Sequence, residues 1–210
     1  MILFQSPTQT VCELFHKTLN LLHESFIPYN RLPSASHRKY NSVKFFDKNI
    51  TMLMDGTEQK VMIPKDEVQK GHFYSSKQKH HSITILLFFS PKKREVYKVA
   101  EPRPSGETEK NILRHWCSCF LQMLIKDERI LSDKGFEGMQ DLRILTTAQY
   151  TSLSRVLSQQ RIWAECYIGD IKNFRICSDK IYIPPSKEGD ILNFAKKIWT
   201  VGCGFALGYP

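Results

Sequence analysis

With 210 residues and 41% hydrophobic side chains, the chain is long enough for one domain with an ordinary core and a small appendage, which excludes a fully disordered polypeptide. Thirty Lys plus Arg against twenty-one Asp plus Glu leave a net charge of +9, a balance that favours polyanionic partners such as nucleic acid. The longest apolar run, residues 83–89, is interrupted by Thr84 and falls far short of the ~20 residues of a membrane span.

The opening residues lack a basic region followed by an apolar stretch, which predicts no secretory signal. Six cysteines scattered without a CxxC pair fit reduced thiols, so the expected location is the nucleus or the cytoplasm. His115, Cys117 and Cys119 are too crowded for a common zinc pattern, and the sequon Asn49-Ile50-Thr51 has no use without secretion.

In chain order, Ser6-Pro7-Thr8-Gln9 predicts a helix start, with Ser at the cap, Pro at the first helical position and Gln completing a capping box. Val11, Leu14, Phe15, Leu22 and Phe26 then share one helical face until Pro28 ends it. Residues 31–41, rich in Ser, Arg and Pro, read as a linker. From residue 50 the pattern changes to strands at 50–55, 81–90 and 95–100, whose short connections predict an antiparallel meander. Lys92-Lys93-Arg94 reads as a solvated turn between the last two.

Residues 107–124 follow as a helix with Ile112, Leu113, Trp116, Phe120 and Leu124 on its apolar side. Short apolar strands are expected at 130–133 and 142–145, then two helices at 153–174 and 190–205, separated by Pro184-Pro185. On the first of these helices Trp163, Cys166 and Tyr167 read as core packing. Strands first, then alternating helices and strands, imply an α/β fold with a mixed sheet flanked by helices.

The chemistry lies in the carboxylates. Side chains alternate along residues 50–55, so Asp55 faces away from Met52 and Met54, and Gly56 is expected to turn the chain. Residues 130–135 repeat the arrangement, with Asp133 at the end of an apolar strand and Gly135 just after it. Two such acids can converge, because ligand sites in an α/β sheet form outside the carboxyl ends of its strands. Glu165 adds a third acid from a helix, on one stripe with Arg161 about 40° away and Lys172 about 20° to the other side.

Each residue also has a plainer reading, as a solvated turn aspartate or an Arg161–Glu165 ion pair on a wet face. Together the three carboxylates offer the oxygen donors that Mg²⁺ and Mn²⁺ prefer, and a pair of such ions ~4 Å apart suits phosphodiester cleavage. Arg161 and Lys172 would then neutralise substrate phosphates. Lys77, Lys79, His80 and His81 form either a phosphate-binding edge or a charged loop protecting a strand edge.

Four segments occur in a telling order. They are Asp55-Gly56-Thr57-Glu58 followed by Pro64, then His72-Phe73-Tyr74-Ser75-Ser76-Lys77-Gln78-Lys79-His80-His81, then Leu131-Ser132-Asp133-Lys134-Gly135-Phe136-Glu137-Gly138, and last the Arg161, Glu165, Lys172 spacing. From about Phe45 onward the chain thereby resembles the harbinger-type DDE transposases, the host nucleases derived from them, and related bacterial insertion-sequence transposases.

The resemblance implies an RNase H-like fold with Asp55, Asp133 and Glu165 as catalytic, metal-binding residues, Mg or Mn as cofactor, and DNA as substrate. Arg161, Lys172, Lys77 and Lys79 become DNA- or phosphate-binding residues. It also implies a separate Myb-like DNA-binding partner. Residues 41–210 would be the DDE endonuclease catalytic domain. Residues 1–40 would be a linker and a truncated helical remnant of a helix-turn-helix segment, its earlier helices missing.

Ser158 replaces the Tyr that opens the family's C-terminal signature, Ser76 replaces a Gly, and a Pro-Gly-Ser-x-x-Asp segment survives as Pro104-Ser105-Gly106-Glu107-Thr108-Glu109. Such departures mark a host-adopted or decaying copy. The expected function is a metal-dependent DNA endonuclease. Its rival is a catalytically inactive DNA-binding or adaptor protein retaining the fold, favoured by the short N-terminal segment and the altered signature positions. An RNase H-like exonuclease of another kind is disfavoured by the order and identity of the motifs.

Overall fold

A computed structural model describes the backbone of residues 8–116, 118–146, 154–182 and 188–210. Two long strands, β2 (Lys48–Lys60) and β4 (His80–Phe89), form the centre of a mixed sheet and pair antiparallel from Leu53↔Phe89 to Lys60↔Ser82. The apolar run in β4 is buried throughout, as a strand covered on both faces must be. Its other edge carries β3 (Tyr74–Ser75), β6 (Arg103–Pro104) and β5 (Val96–Val99), all antiparallel. On the far side of β2 lie β7 (Glu128–Ser132) and β8 (Ile144–Thr146), both parallel, while β1 (Val43–Phe45) folds back on the start of β2.

The strand order β5-β4-β2-β7-β8 is thus an antiparallel meander followed by two parallel strands. This is the α/β architecture expected from the sequence, compatible with an RNase H-like fold. Alternation sorts the side chains into two cores. Leu53, Ile85, Leu87, Phe89 and Leu131 project to one side, beneath α6 (Ser154–Lys172) and α8 (Glu188–Ala206), with α1 (Thr8–Phe26) packed along α8. Met52, Met54, Leu86, Phe88 and Ile130 project to the other, beneath α4 (Glu109–Trp116) and α5 (Ser118–Gln122).

Several expectations give way to tertiary packing. Gly56 does not turn the chain, because β4 goes on pairing with β2 through Gly56↔Leu86. Residues 31–41 are more than a linker: they form α2 (Ala35–Tyr40), capped by Ser34, whose Oγ accepts from His37 N at 3.2 Å. The stripe of α1 that sinks toward the core runs through Leu19, Leu22, His23 and Phe26, while Val11 and Leu14 stay exposed and Phe15, also exposed, touches Phe194 of α8. Within the helix expected at 107–124, residues 109–116 and 118–122 are helical as α4 and α5, and a helix not foreseen, α3 (Glu67–Phe73), precedes β3. Gly106 N donates to His72 O at 2.7 Å, and any side chain at Gly106 would collide with that carbonyl, so glycine lets the chain enter α4.

The cap at Ser6-Pro7 and the Pro184-Pro185 break lie outside the described residues. Among the described residues no helix is long and apolar enough to cross a membrane. The described cysteines are free, and burial pushes the Cys177 thiol up to about 12.

The start of β7 is anchored by a buried ion pair. Arg38 forks onto Glu128 at 2.7 and 2.6 Å, and also donates to the carbonyls of Pro33 and Met123. Truncating one partner strands the other charge, so Arg38→Met is expected to lower unfolding stability by about 3–5 kcal/mol, while pairing it with Glu128→Met restores most of the loss. Urea unfolding measures both; a single-variant loss under about 1 kcal/mol would show that the pair is no anchor.

Candidate active site

The parallel register Leu53↔Leu131 places Asp55 and Asp133, two residues further on, side by side where β7 leaves β2. Ser132 Oγ donates to the Met54 carbonyl at 3.1 Å and ties the end of β7 to the middle of β2. Asp55 shares its side of β2 with Leu53, the side that α6 covers.

Leu157, Ala164, Ile168 and Ile171 sink α6 into the core. Tyr167 OH donates to Lys93 O at 3.2 Å, and Asp170 pairs with Arg94 at 2.8 Å, so the β4–β5 turn is tied to α6 as well as solvated. Tyr167 joins the core as expected, but Trp163 and Cys166 remain exposed, because they lie off the buried stripe. Arg161 and Glu165 sit beside that stripe, with Arg161 NH2 donating to Glu165 Oε1 at 2.5 Å.

Burial, helped by the charges of Asp133 and Glu165, pushes the Asp55 carboxyl up to about 6, against the Gly56 N–H and Arg161. Asp55 Oδ1 accepts from Gly56 N at 2.8 Å. Asp133 caps a short 3₁₀ turn, its Oδ1 accepting from Gly135 N at 2.9 Å. Lys172 is half-buried, and burial lowers its pKa while Glu58 and Asp55 oppose the shift.

Five of the expected residues, Asp55, Asp133, Glu165, Arg161 and Lys172, therefore gather around the point where β7 leaves β2. Lys77 reaches the same region from the β3–β4 turn, 3.9 Å from Glu109. Lys79 does not line the clefts there; its positive φ of 58° and its N–H bond to Ser75 O make it a turn residue.

Among the described residues no three acidic, histidine or cysteine side chains stand close enough to hold a metal ion as they are, and Glu165 is turned to Arg161. The donor chemistry nevertheless fits Mg²⁺ or Mn²⁺. Every acid at this site offers hard oxygens, and the mutual repulsion felt at Asp55 is what a cation would relieve.

Beyond Leu53, β7 no longer pairs with β2, and among the described residues no strand takes its place before the bridge Val61↔Ile181. Two adjoining clefts, each about 390 Å³, open along this part of β2 and share Glu58, Lys77 and Glu109. Lys60, His80 and Lys172 line one of them. Glu58, Lys60 and Glu109 were given no role from the sequence. Glu58 and Glu109 stand inside recognisable segments, but nothing in their spacing ties them to Asp55, because pairing and helix packing deliver them.

The sequence model of a family described as DDE superfamily endonuclease matches residues 54–206, a span that includes Asp55, Asp133 and Glu165. No curated protein and no solved structure matches the chain.

An acid whose folded pKa lies above its unfolded value favours folding while protonated. That contribution is full below about pH 4 and is lost as pH rises through about 6. In EDTA, Asp55→Asn is expected to stabilise the protein by roughly 1–3 kcal/mol at pH 7.5 and to change little at pH 4. Thermal melting at both pH values measures the difference; equal effects would sink the electrostatic assignment.

Proposed function

The chain belongs to the DDE superfamily of endonucleases, and from that premise we propose that it is a harbinger-type, divalent-metal-dependent DNA endonuclease. The observation that carries this reading is that Asp133, at the end of β7, and Glu165, on α6, bear with like charge on Asp55 in β2, beside the point where β7 leaves that strand. Mg²⁺ or Mn²⁺, when bound, supplies activation of the attacking oxygen and stabilisation of the leaving oxygen of a phosphodiester.

Asp55, Asp133 and Glu165 would hold the cation through their carboxylate oxygens. Arg161 transfers its planar fork from Glu165 to a substrate phosphate, for which a bidentate guanidinium is suited. Lys172, half-buried beside Asp55, orients the strand being cut, and Lys77 and Lys60 hold phosphates along the open side of β2. Burial around Asp55 strengthens each of these charge interactions relative to water.

The net charge of +9 supplies non-specific DNA affinity that falls steeply with salt. Sequence selectivity comes from a separate Myb-like protein, with residues 41–210 as the catalytic domain and 1–40 as a helical segment and linker before it. The protein acts in the nucleus, where its substrate lies. Ser158 and Ser76 mark a host-adopted copy in which transposition is lost more readily than metal binding.

One observation favours a second reading. Glu165 is 51% exposed and already paired with Arg161, as in an adaptor that binds DNA without cutting it.

Nicking of supercoiled DNA separates the two. Wild type is expected to cut in Mg²⁺ or Mn²⁺, and Glu165→Gln or Asp133→Asn to cut at least about 100-fold more slowly, the scale of losing a transition-state charge stabiliser. Both variants should fold, since Gln is nearly isosteric with Glu and similar in helix propensity. A wild type that neither nicks DNA nor melts at higher temperature with Mn²⁺ would leave the adaptor reading standing. Tight, sequence-selective binding by this chain alone at physiological salt would contradict the need for a partner.

A further inference from the structure

We propose that Glu109 is a fourth acidic residue of the metal centre, holding a divalent cation together with Asp55 from the opposite side of the sheet. The inference rests on the endonuclease reading and adds a ligand to it.

Alternation along β2 turns Asp55 toward α6 and the next residue, Gly56, toward α4. Having no side chain, Gly56 leaves a gap, and the Glu109 carboxylate fills it. A Cβ built on Gly56 would stand 2.7 Å from Glu109 Oε1 and 3.0 Å from its Cδ. The carboxylate thus lies against the backbone of the residue that follows Asp55.

An acid in the first turn of a helix ordinarily needs only to face the helix N–H groups from solvent. Glu109 does something else. Its side chain is 24% exposed, and it accepts no hydrogen bond among the described residues. Its ion-pair partner Lys77 stays 3.9 Å away with 68% of its own side chain in solvent. Asp133, Asp55 and Glu58 all face it with like charge.

The neighbouring acids are provided for: Glu58 accepts from Ser75 Oγ at 2.9 Å and Ser82 Oγ at 2.5 Å, and Glu107 accepts from Arg103 at 3.3 Å. A half-buried carboxylate without a donor, facing other carboxylates, is unfavourable until a cation joins it. Divalent cations with a preference for oxygen supply that compensation, and they accept carboxylates arriving from different elements. Gly56 is then needed to let a second acid reach the ion that Asp55 holds.

The test is Mn²⁺ titration of the full chain without DNA, read by loss of the free Mn²⁺ paramagnetic resonance signal and by thermal melting. Wild type is expected to bind, and Glu109→Gln to bind about tenfold or more weakly while melting higher than wild type in EDTA. Glu107→Gln should keep wild-type affinity, and Lys77→Met should keep or tighten it, since it removes a competing cation.

If Glu109 merely opens α4 and balances Lys77, Glu109→Gln and Lys77→Met will both melt lower in EDTA and leave Mn²⁺ affinity unchanged, which overturns the proposal. Binding by wild type that persists undiminished in Glu109→Gln overturns it alone. No Mn²⁺ binding by wild type overturns the metal-dependent reading with it. Should Glu109→Gln fail to fold, Glu109→Asp keeps the charge but withdraws it by one methylene. Weakened Mn²⁺ binding by that variant supports the proposal, and unchanged binding overturns it.

Discussion

Among the described residues, strand β2 is paired on both edges only as far as Leu53. Beyond it β4 continues alone, while β7 stops at Ser132 and turns away through Asp133. That single mismatch of strand lengths creates the site. It leaves backbone groups of β2 open beside two clefts, and it puts the first two acids next to each other at the margin of two apolar cores. Apolar matter below and solvent above is the setting in which charges interact strongly yet remain reachable.

The two cores also decide how further acids arrive. Leu157, Ala164, Ile168 and Ile171 fix the rotation of α6, and the neighbouring stripe carries Glu165 to the Asp55 side. Ile112 and Leu113 fix α4 on the other side, and its first residue is Glu109. Helices on opposite sides of one sheet thus bring acids to the same stretch of β2, which stands between them.

β7 shows the electrostatic design in miniature. At its start Glu128 is buried and fully compensated by Arg38, Pro33 and Met123 completing the guanidinium's bonds. At its end Asp133 is half-buried beside other acids, with a backbone N–H of its own turn as hydrogen-bond donor. The first arrangement stabilises the fold; the second leaves like charges unresolved, which is what a cation-binding end requires. Stability is concentrated away from the chemistry.

Local rules made much of this legible. Short apolar runs between turn residues identified β2, β4 and β5, helical periodicity identified α6 and α8, and the repeated strand-Asp-Gly pattern singled out Asp55 and Asp133. What local rules missed was settled by partners distant in the chain. Gly56 stayed in a strand because β4 pairs with it, residues 35–40 became helical around a buried Arg38, and α1 chose its inner face according to where α8 lies. Glu109 belongs with these, since its place depends on a glycine in another strand and on the angle at which α4 meets the sheet. By itself, then, the sequence determined the elements, their apolar faces and three of the acids, because those follow from periodicity along the chain. Only the tertiary structure decided which strand edge lies open and which further carboxylate faces Asp55, because both depend on strand lengths and helix positions that no local pattern encodes.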